Sequence, residues 1–83
     1  MQPLEGFTEV ETLAYGWHYQ CLPGFDRQLM QTIVIASAED ASKLQEVYPE
    51  HVMAIANYTS NLGWWQELNQ RLIKKGIVKH EKS

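Results

Sequence analysis

The 83 residues predict an α+β fold, a two-layer ββαβα sandwich in which two helices cover one face of a small antiparallel sheet. Three observations lead there. From Leu13 to Cys21 every odd position (Leu13, Tyr15, Trp17, Tyr19, Cys21) is large or apolar, and every even one (Ala14, Gly16, His18, Gln20) is small or polar. That is the period of a strand with one buried face. Pro23-Gly24 separates this run from a second apolar one, as a short hairpin connection does. Two later segments, opened by Ser37 and by Asn61, carry apolar residues at helical spacing.

Taken in order, residues 1–8 read as an irregular lead-in, followed by a first strand over 9–22. Pro23 to Asp26 forms the connection, and the β-branched run Thr32-Ile33-Val34-Ile35 marks a second strand over 28–36. Ser37 then caps a helix, with Glu39 and Asp40 at its positive end and Asp40 in the capping-box position. Ala41, Leu44 and Tyr48 share one face of it, Val47 lies at the edge, and Pro49 ends it. Residues 51–58 fit either period. A strand puts Val52, Ala54, Ala56 and Tyr58 on one face, and a helix groups Val52, Ile55, Ala56 and Thr59. The segment is short and has no good N-cap, so it is assigned as a third strand.

The last helix runs over 62–75, capped by Asn61 or Ser60 and closed by Gly76. Leu62, Trp65, Leu68, Leu72 and Ile73 make its stripe, and Glu67 and Arg71 form an i, i+4 pair. A right-handed crossover makes the third strand parallel to the second. The first strand then lies in the middle, order 2-1-3, with all neighbours antiparallel. The single domain spans 9–76, and residues 77–83 are a polar tail.

A chain of this length builds one small core, and 45% hydrophobic with 20% charged residues is ordinary for a globular protein. The apolar runs Ile33 to Ala36 and Val52 to Ala56 fall far short of the roughly 18 residues of a membrane span. The first residues lack the basic and apolar regions of a secretory signal, and one cysteine makes no internal disulfide; both point to the cytoplasm. The net charge of −3 is unevenly spread. Residues 1–50 carry eight acids against Arg27 and Lys43, and residues 51–83 carry Glu67 and Glu81 against five bases. The lysines suit a helix C-terminus, and the acidic half suits a basic partner.

Chemistry-bearing motifs are few. His18-x-x-Cys21 has metal-like spacing, but on a strand its members face opposite ways, and His51 and His80 are remote, so no metal is expected. Cys21 reads as a small buried hydrophobe at a strand end. No serine sits in a glycine-flanked elbow, and the glycines form no phosphate loop, so neither catalysis nor a cofactor is expected. Arg71, Lys74, Lys75, Lys79 and Lys82, with His80, could meet phosphates, but the aromatics of the first strand lie on the core row and the domain is acidic overall.

Trp64 and Trp65 are adjacent on one helix and cannot both point inward. Trp65 is in the stripe, and Trp64, about 100° away, is a candidate partner anchor. The second and third strands are apolar on both faces, which leaves sheet surface such as Met30 or Leu29, Val34 or Ile33, and Met53 or Ile55 for another protein. The expectation is therefore a protein-binding module acting by stoichiometric association, as an inhibitor, adaptor or subunit. Its partner would be another protein with a basic surface, such as one that handles nucleic acid. Trp64, Met53, Met30, His18, Glu9, Glu11 and Asp26 are the partner-binding candidates. The alternatives are a homodimer through the open sheet face, nucleic-acid binding by the basic C-terminal end, and a small enzyme or ligand binder.

Overall fold

In the computed structural model, which describes residues 2–78, the chain turns helical at the first segment expected to be a strand. Five helices follow one another: α1 (Glu9–His18), α2 (Gly24–Ile35), α3 (Ala38–Val47), α4 (Pro49–Ser60) and α5 (Leu62–Lys74). No strand occurs among the described residues. The α+β sandwich, the 2-1-3 sheet and the open sheet face for a second copy are therefore replaced by an all-helical fold.

The local reasons are visible residue by residue. Thr8 caps α1 reciprocally with Glu11: the Thr8 hydroxyl accepts from the Glu11 N–H at 3.1 Å, and the Glu11 carboxylate accepts from the Thr8 N–H at 2.9 Å. The buried residues of α1 are Thr12, Leu13, Ala14 and Gly16, so the small even positions are inside rather than outside. Gly16 is buried because Leu22 lies on it; a Cβ there would sit 2.4 Å from a Leu22 methyl. Tyr15 and Tyr19 run along a second flank, with ring centroids 5.6 Å apart. A helix leaning on neighbours along two flanks takes apolar residues outside one stripe, and that imitates a period of two.

In α2 the β-branched run is overridden by burial. Leu29, Met30 and Ile33 are inside at i, i+1 and i+4, and each buried apolar side chain contributes about 1.5–3 kcal/mol. The helix-propensity deficit of a β-branched residue is below about 0.7 kcal/mol. Pro23 stands at the N-cap of α2 and begins a helix where a hairpin turn was expected. Ser37 caps α3 as expected, accepting from the Asp40 N–H at 3.2 Å. Pro49 ends α3 and is also the first residue of α4, where its missing N–H and fixed φ cost nothing. The residues 51–58 thus follow the helical alternative, with His51, Ala54 and Ile55 buried.

Asn61 caps α5 by accepting from the Trp64 N–H at 3.1 Å. Gly76 adopts φ +78° and closes the helix, with the Ile77 N–H donating to the Leu72 carbonyl at 3.0 Å. Of the expected stripe, Trp65, Leu68 and Leu72 are buried, Ile73 is half-buried and Leu62 is exposed. Arg71 pairs with Glu11 on α1 instead of with Glu67.

α4 is the central helix and packs against the other four. The core joins Phe7 of the lead-in to Leu13, Met30, Ile55, Trp65, Leu68 and their neighbours. Ile77 and Val78 pack on it as well. The rest of the expected tail, with Lys79, His80 and Lys82, lies outside the described residues. Cys21 is exposed, not the buried hydrophobe expected of a strand end.

Candidate functional site

α2 and α3 form a helical hairpin. Each packs on α4 and makes much less contact with the other. They meet at the Ala36-Ser37 corner, and at the opposite end the Phe25 and Tyr48 rings lie 6.0 Å apart. Between them, next to the corner, a cleft of about 450 Å³ opens, lined by Thr32, Ile35, Ala36, Asp40, Lys43 and Leu44.

Of its lining, Ile35 is 83% exposed. Phe25, 63% exposed, Val47, 68% exposed, and the exposed Val34 lie elsewhere on the same two helices. The other large exposed apolar residues, Tyr19, Met53 and Leu62, are scattered over α4, α5 and the end of α1. No residue of α3 is fully buried, so this helix adds little to the core and mostly forms a wall. The hairpin carries Asp26, Glu39, Asp40 and Glu46 against Arg27 and Lys43. Lys43 approaches Glu39 at 3.9 Å and Asp26 is taken by His51, while Asp40 makes no ion pair among the described residues. Asp40 and Lys43 thus both line the cleft, and Asp40 makes no ion pair among the described residues.

The sequence-derived candidates are dispersed. Met30 is wholly buried in the core, where it packs against neighbours instead of facing a partner. Trp64 is half-buried on α5, beside the buried Trp65, and Met53 is exposed on α4. Glu9 is half-buried in the first turn of α1. Glu11 caps Thr8 and holds Arg71, which in turn lies over the Phe7 ring at 5.1 Å. None of these lines the α2–α3 cleft. Sequence reasoning missed Ile35, Leu44 and Val47 as a surface. The available signal was an α2 that, drawn as a helix, is apolar beyond its core stripe.

His18 sits at the end of α1 in an aromatic cluster. Its Nδ1 shares a 2.7 Å hydrogen bond with the Tyr58 hydroxyl, and its ring centroid is 4.5 Å from that of Trp65. Desolvation there pushes its pKa below the ordinary histidine value, which favours the neutral ring. The Tyr19 hydroxyl donates to Asn69 Oδ1 at 2.7 Å, so the cluster ties α1 to α4 and α5. Burial, reinforced by the neighbouring Cys21, raises the Tyr15 hydroxyl above its ordinary value.

His51 Nε2 and Asp26 Oδ1 lie 2.8 Å apart and join the first turns of α4 and α2. This is a carboxylate–imidazole pair of the kind that orients a base, but His51 Nδ1 is buried without a partner among the described residues. Among the described residues no nucleophile is hydrogen-bonded to His51, and the pair acts as a pin between helices. The described residues hold no cluster of three or more His, Cys, Asp or Glu side chains fit for a metal ion. A second cleft, lined by Gly6, Phe7, Arg71, Lys74 and Lys75, forms the basic end of the molecule. Compared with family models, curated proteins and solved structures, the chain matches none. No helix among the described residues is long and apolar enough to cross a membrane.

Proposed function

We propose that this protein is a cytoplasmic binding module that associates stoichiometrically with another protein and turns over no substrate. The observation that supports it is the α2–α3 hairpin: a cleft lined in part by Ile35, Ala36 and Leu44, and three large apolar side chains of the same two helices more than half exposed. Exposed large apolar side chains gathered on one pair of helices mark interaction sites on small domains. Partner-binding weight therefore moves to Ile35, Leu44, Phe25 and Val47, with Trp64 and Met53 as outlying contacts. The acidic balance of the hairpin supports a partner with a basic surface, because complementary charge speeds encounter and selects partners.

Affinity capture from the native cell extract tests this, with the parent protein compared with Ile35→Asp and Gln70→Asp. Both side chains are exposed, so neither change disturbs the core. Ile35→Asp should lose the partner while its circular dichroism and melting stay near the parent, and Gln70→Asp should keep it. Equal capture by all three proteins would sink the proposal. So would substrate turnover by the purified protein that a His51 or Asp26 substitution removed without unfolding it.

A further inference from the structure

We infer that the basic cleft at the C-terminal end of α5 binds a small soluble phosphate monoester, independently of the α2–α3 hairpin. Gly6, Phe7, Arg71, Lys74 and Lys75 line it, so three bases and no acid surround about 320 Å³. That is the low end of the roughly 300–1,000 Å³ of small-molecule pockets. The α2–α3 cleft, by contrast, is lined by one acid and one base.

Lysines in the last turn of a helix complement its dipole, and that alone explains their presence. It does not explain why the lead-in comes back over them. The chain turns at Glu5-Gly6, where the Phe7 N–H donates to the Leu4 carbonyl at 3.0 Å and Gly6 adopts φ +86°. A Cβ on Gly6 would lie 3.2 Å from Lys75 Nζ. The ammonium group therefore stands against bare backbone, with no side chain at residue 6 to shield it. Arg71 lies over the Phe7 ring at 5.1 Å and gives Nη2 to Glu11. Its other N–H donors make no hydrogen bond among the described residues.

Charge selects the ligand. Glu11 neutralises Arg71, whereas Lys74 and Lys75 make no ion pair among the described residues. Two uncompensated ammonium groups match the charge of about −1.5 to −2 that a phosphate monoester carries at neutral pH. A carboxylate or a phosphodiester brings half of that. The free edge of the Arg71 guanidinium suits phosphate oxygens, and the lysine stems with the Phe7 ring offer the organic part an apolar surface.

The surroundings favour a compact ligand over an extended polyanion. Glu5 lines the neighbouring hollow together with Lys75, and Glu11 stands beside Arg71. A nucleic-acid strand or an anionic bilayer laid across this end would meet both carboxylates, and a ligand confined to the cleft does not. None of the large exposed apolar side chains lines the cleft, so it offers no anchor for a bilayer.

Calorimetry and amide chemical shifts on the full chain test this with ribose 5-phosphate and glycerol 3-phosphate, against ribose and dimethyl phosphate. At least one monoester should bind with a Kd of about 1 mM or tighter, and ribose and dimethyl phosphate at least about tenfold more weakly. The shifts should centre on Gly6, Phe7, Lys74 and Lys75. Binding should fall at least about tenfold in the double variant Lys74→Gln/Lys75→Gln. Both side chains are exposed, so its circular dichroism should stay near the parent. Arg27→Gln, which removes an exposed base on α2, should bind as the parent does.

No binding of either monoester, equal binding of dimethyl phosphate, or shifts centred away from the cleft would overturn the inference. So would a double variant that folds and binds unchanged. Tighter binding of single-stranded oligothymidylate than of both monoesters would make the site one for nucleic acid and overturn it. Retention on vesicles containing phosphatidylinositol 4-phosphate, without binding of the soluble monoesters, would make it a membrane site and overturn it as well.

Discussion

Gln20 is the one described residue other than glycine with positive φ, at +60°, and it stands where α1 must stop. Its conformation lets the Cys21 N–H reach back to the Gly16 carbonyl at 2.9 Å, the same closure that Gly76 provides for α5. A side chain in the left-handed region costs roughly 1–2 kcal/mol, offset in part by the exposed Gln20 bond to the Trp17 carbonyl at 3.2 Å. Gln20→Gly should therefore stabilise the protein by about 0.5–1 kcal/mol and raise its melting temperature by several degrees; a lower melting temperature would contradict the strain. The adjacent tryptophans make a second comparison. Trp65 is 8% exposed and packs edge-to-face on Tyr58 at 5.2 Å, whereas Trp64 is half-buried at the core margin. Urea unfolding should show a loss of about 3–5 kcal/mol for Trp65→Ala and clearly less for Trp64→Ala, and equal losses would refute the orientation of α5.

Elements with explicit punctuation were legible before the structure, and elements defined only by an apolar pattern were not. Ser37 and Asn61 both cap where expected, and Pro49 and Gly76 both act as boundaries. α1 was lost because Ala14 and Gly16 were grouped with the polar positions, although small residues are what close helix packing needs. The counter-signal was present in Thr8-x-x-Glu11, a capping box directly ahead of Leu13 and Ala14. In α2 the β-branched run outweighed the i, i+1, i+4 set Leu29, Met30 and Ile33, and tertiary burial decides such contests. The charge asymmetry was legible, but the cleft was not, because its lining comes from α2 and α3 together and α2 was read as a strand. The α1 packing can be checked directly. An exposed helix glycine gains up to about 1 kcal/mol on conversion to alanine. At Gly16 the new methyl would meet Leu22 Cδ2 at 2.4 Å and Cγ at 2.8 Å, so Gly16→Ala should instead cost about 1–3 kcal/mol. Adding Leu22→Ala should give a combined loss smaller than the sum of the two single losses; strict additivity would argue against this contact.

Across the whole molecule, the apolar and charged features divide between two ends. α1, α4 and α5 share the core residues Leu13, Ile55, Trp65 and Leu68, with Arg71, Lys74 and Lys75 gathered where α5 ends. The α2–α3 hairpin stands on α4 through Leu29, Met30, Ile33 and the Asp26–His51 pin, and presents its remaining apolar side chains outward. A domain this small, with total stability of about 5–15 kcal/mol, gains little from leaving Ile35 and Val47 in water unless something covers them. The central claim is that another protein does so. Site-specific photocrosslinking in the native cell extract measures it most directly, with the photoreactive residue placed at Ile35 in one sample and at exposed Gln70 in another. The account predicts one discrete heterologous adduct from Ile35, competed away by unlabelled parent protein but not by Ile35→Asp, and no such adduct from Gln70. The same adduct from both positions, an adduct only from Gln70, or an Ile35 adduct made solely of a second copy of this chain would contradict it.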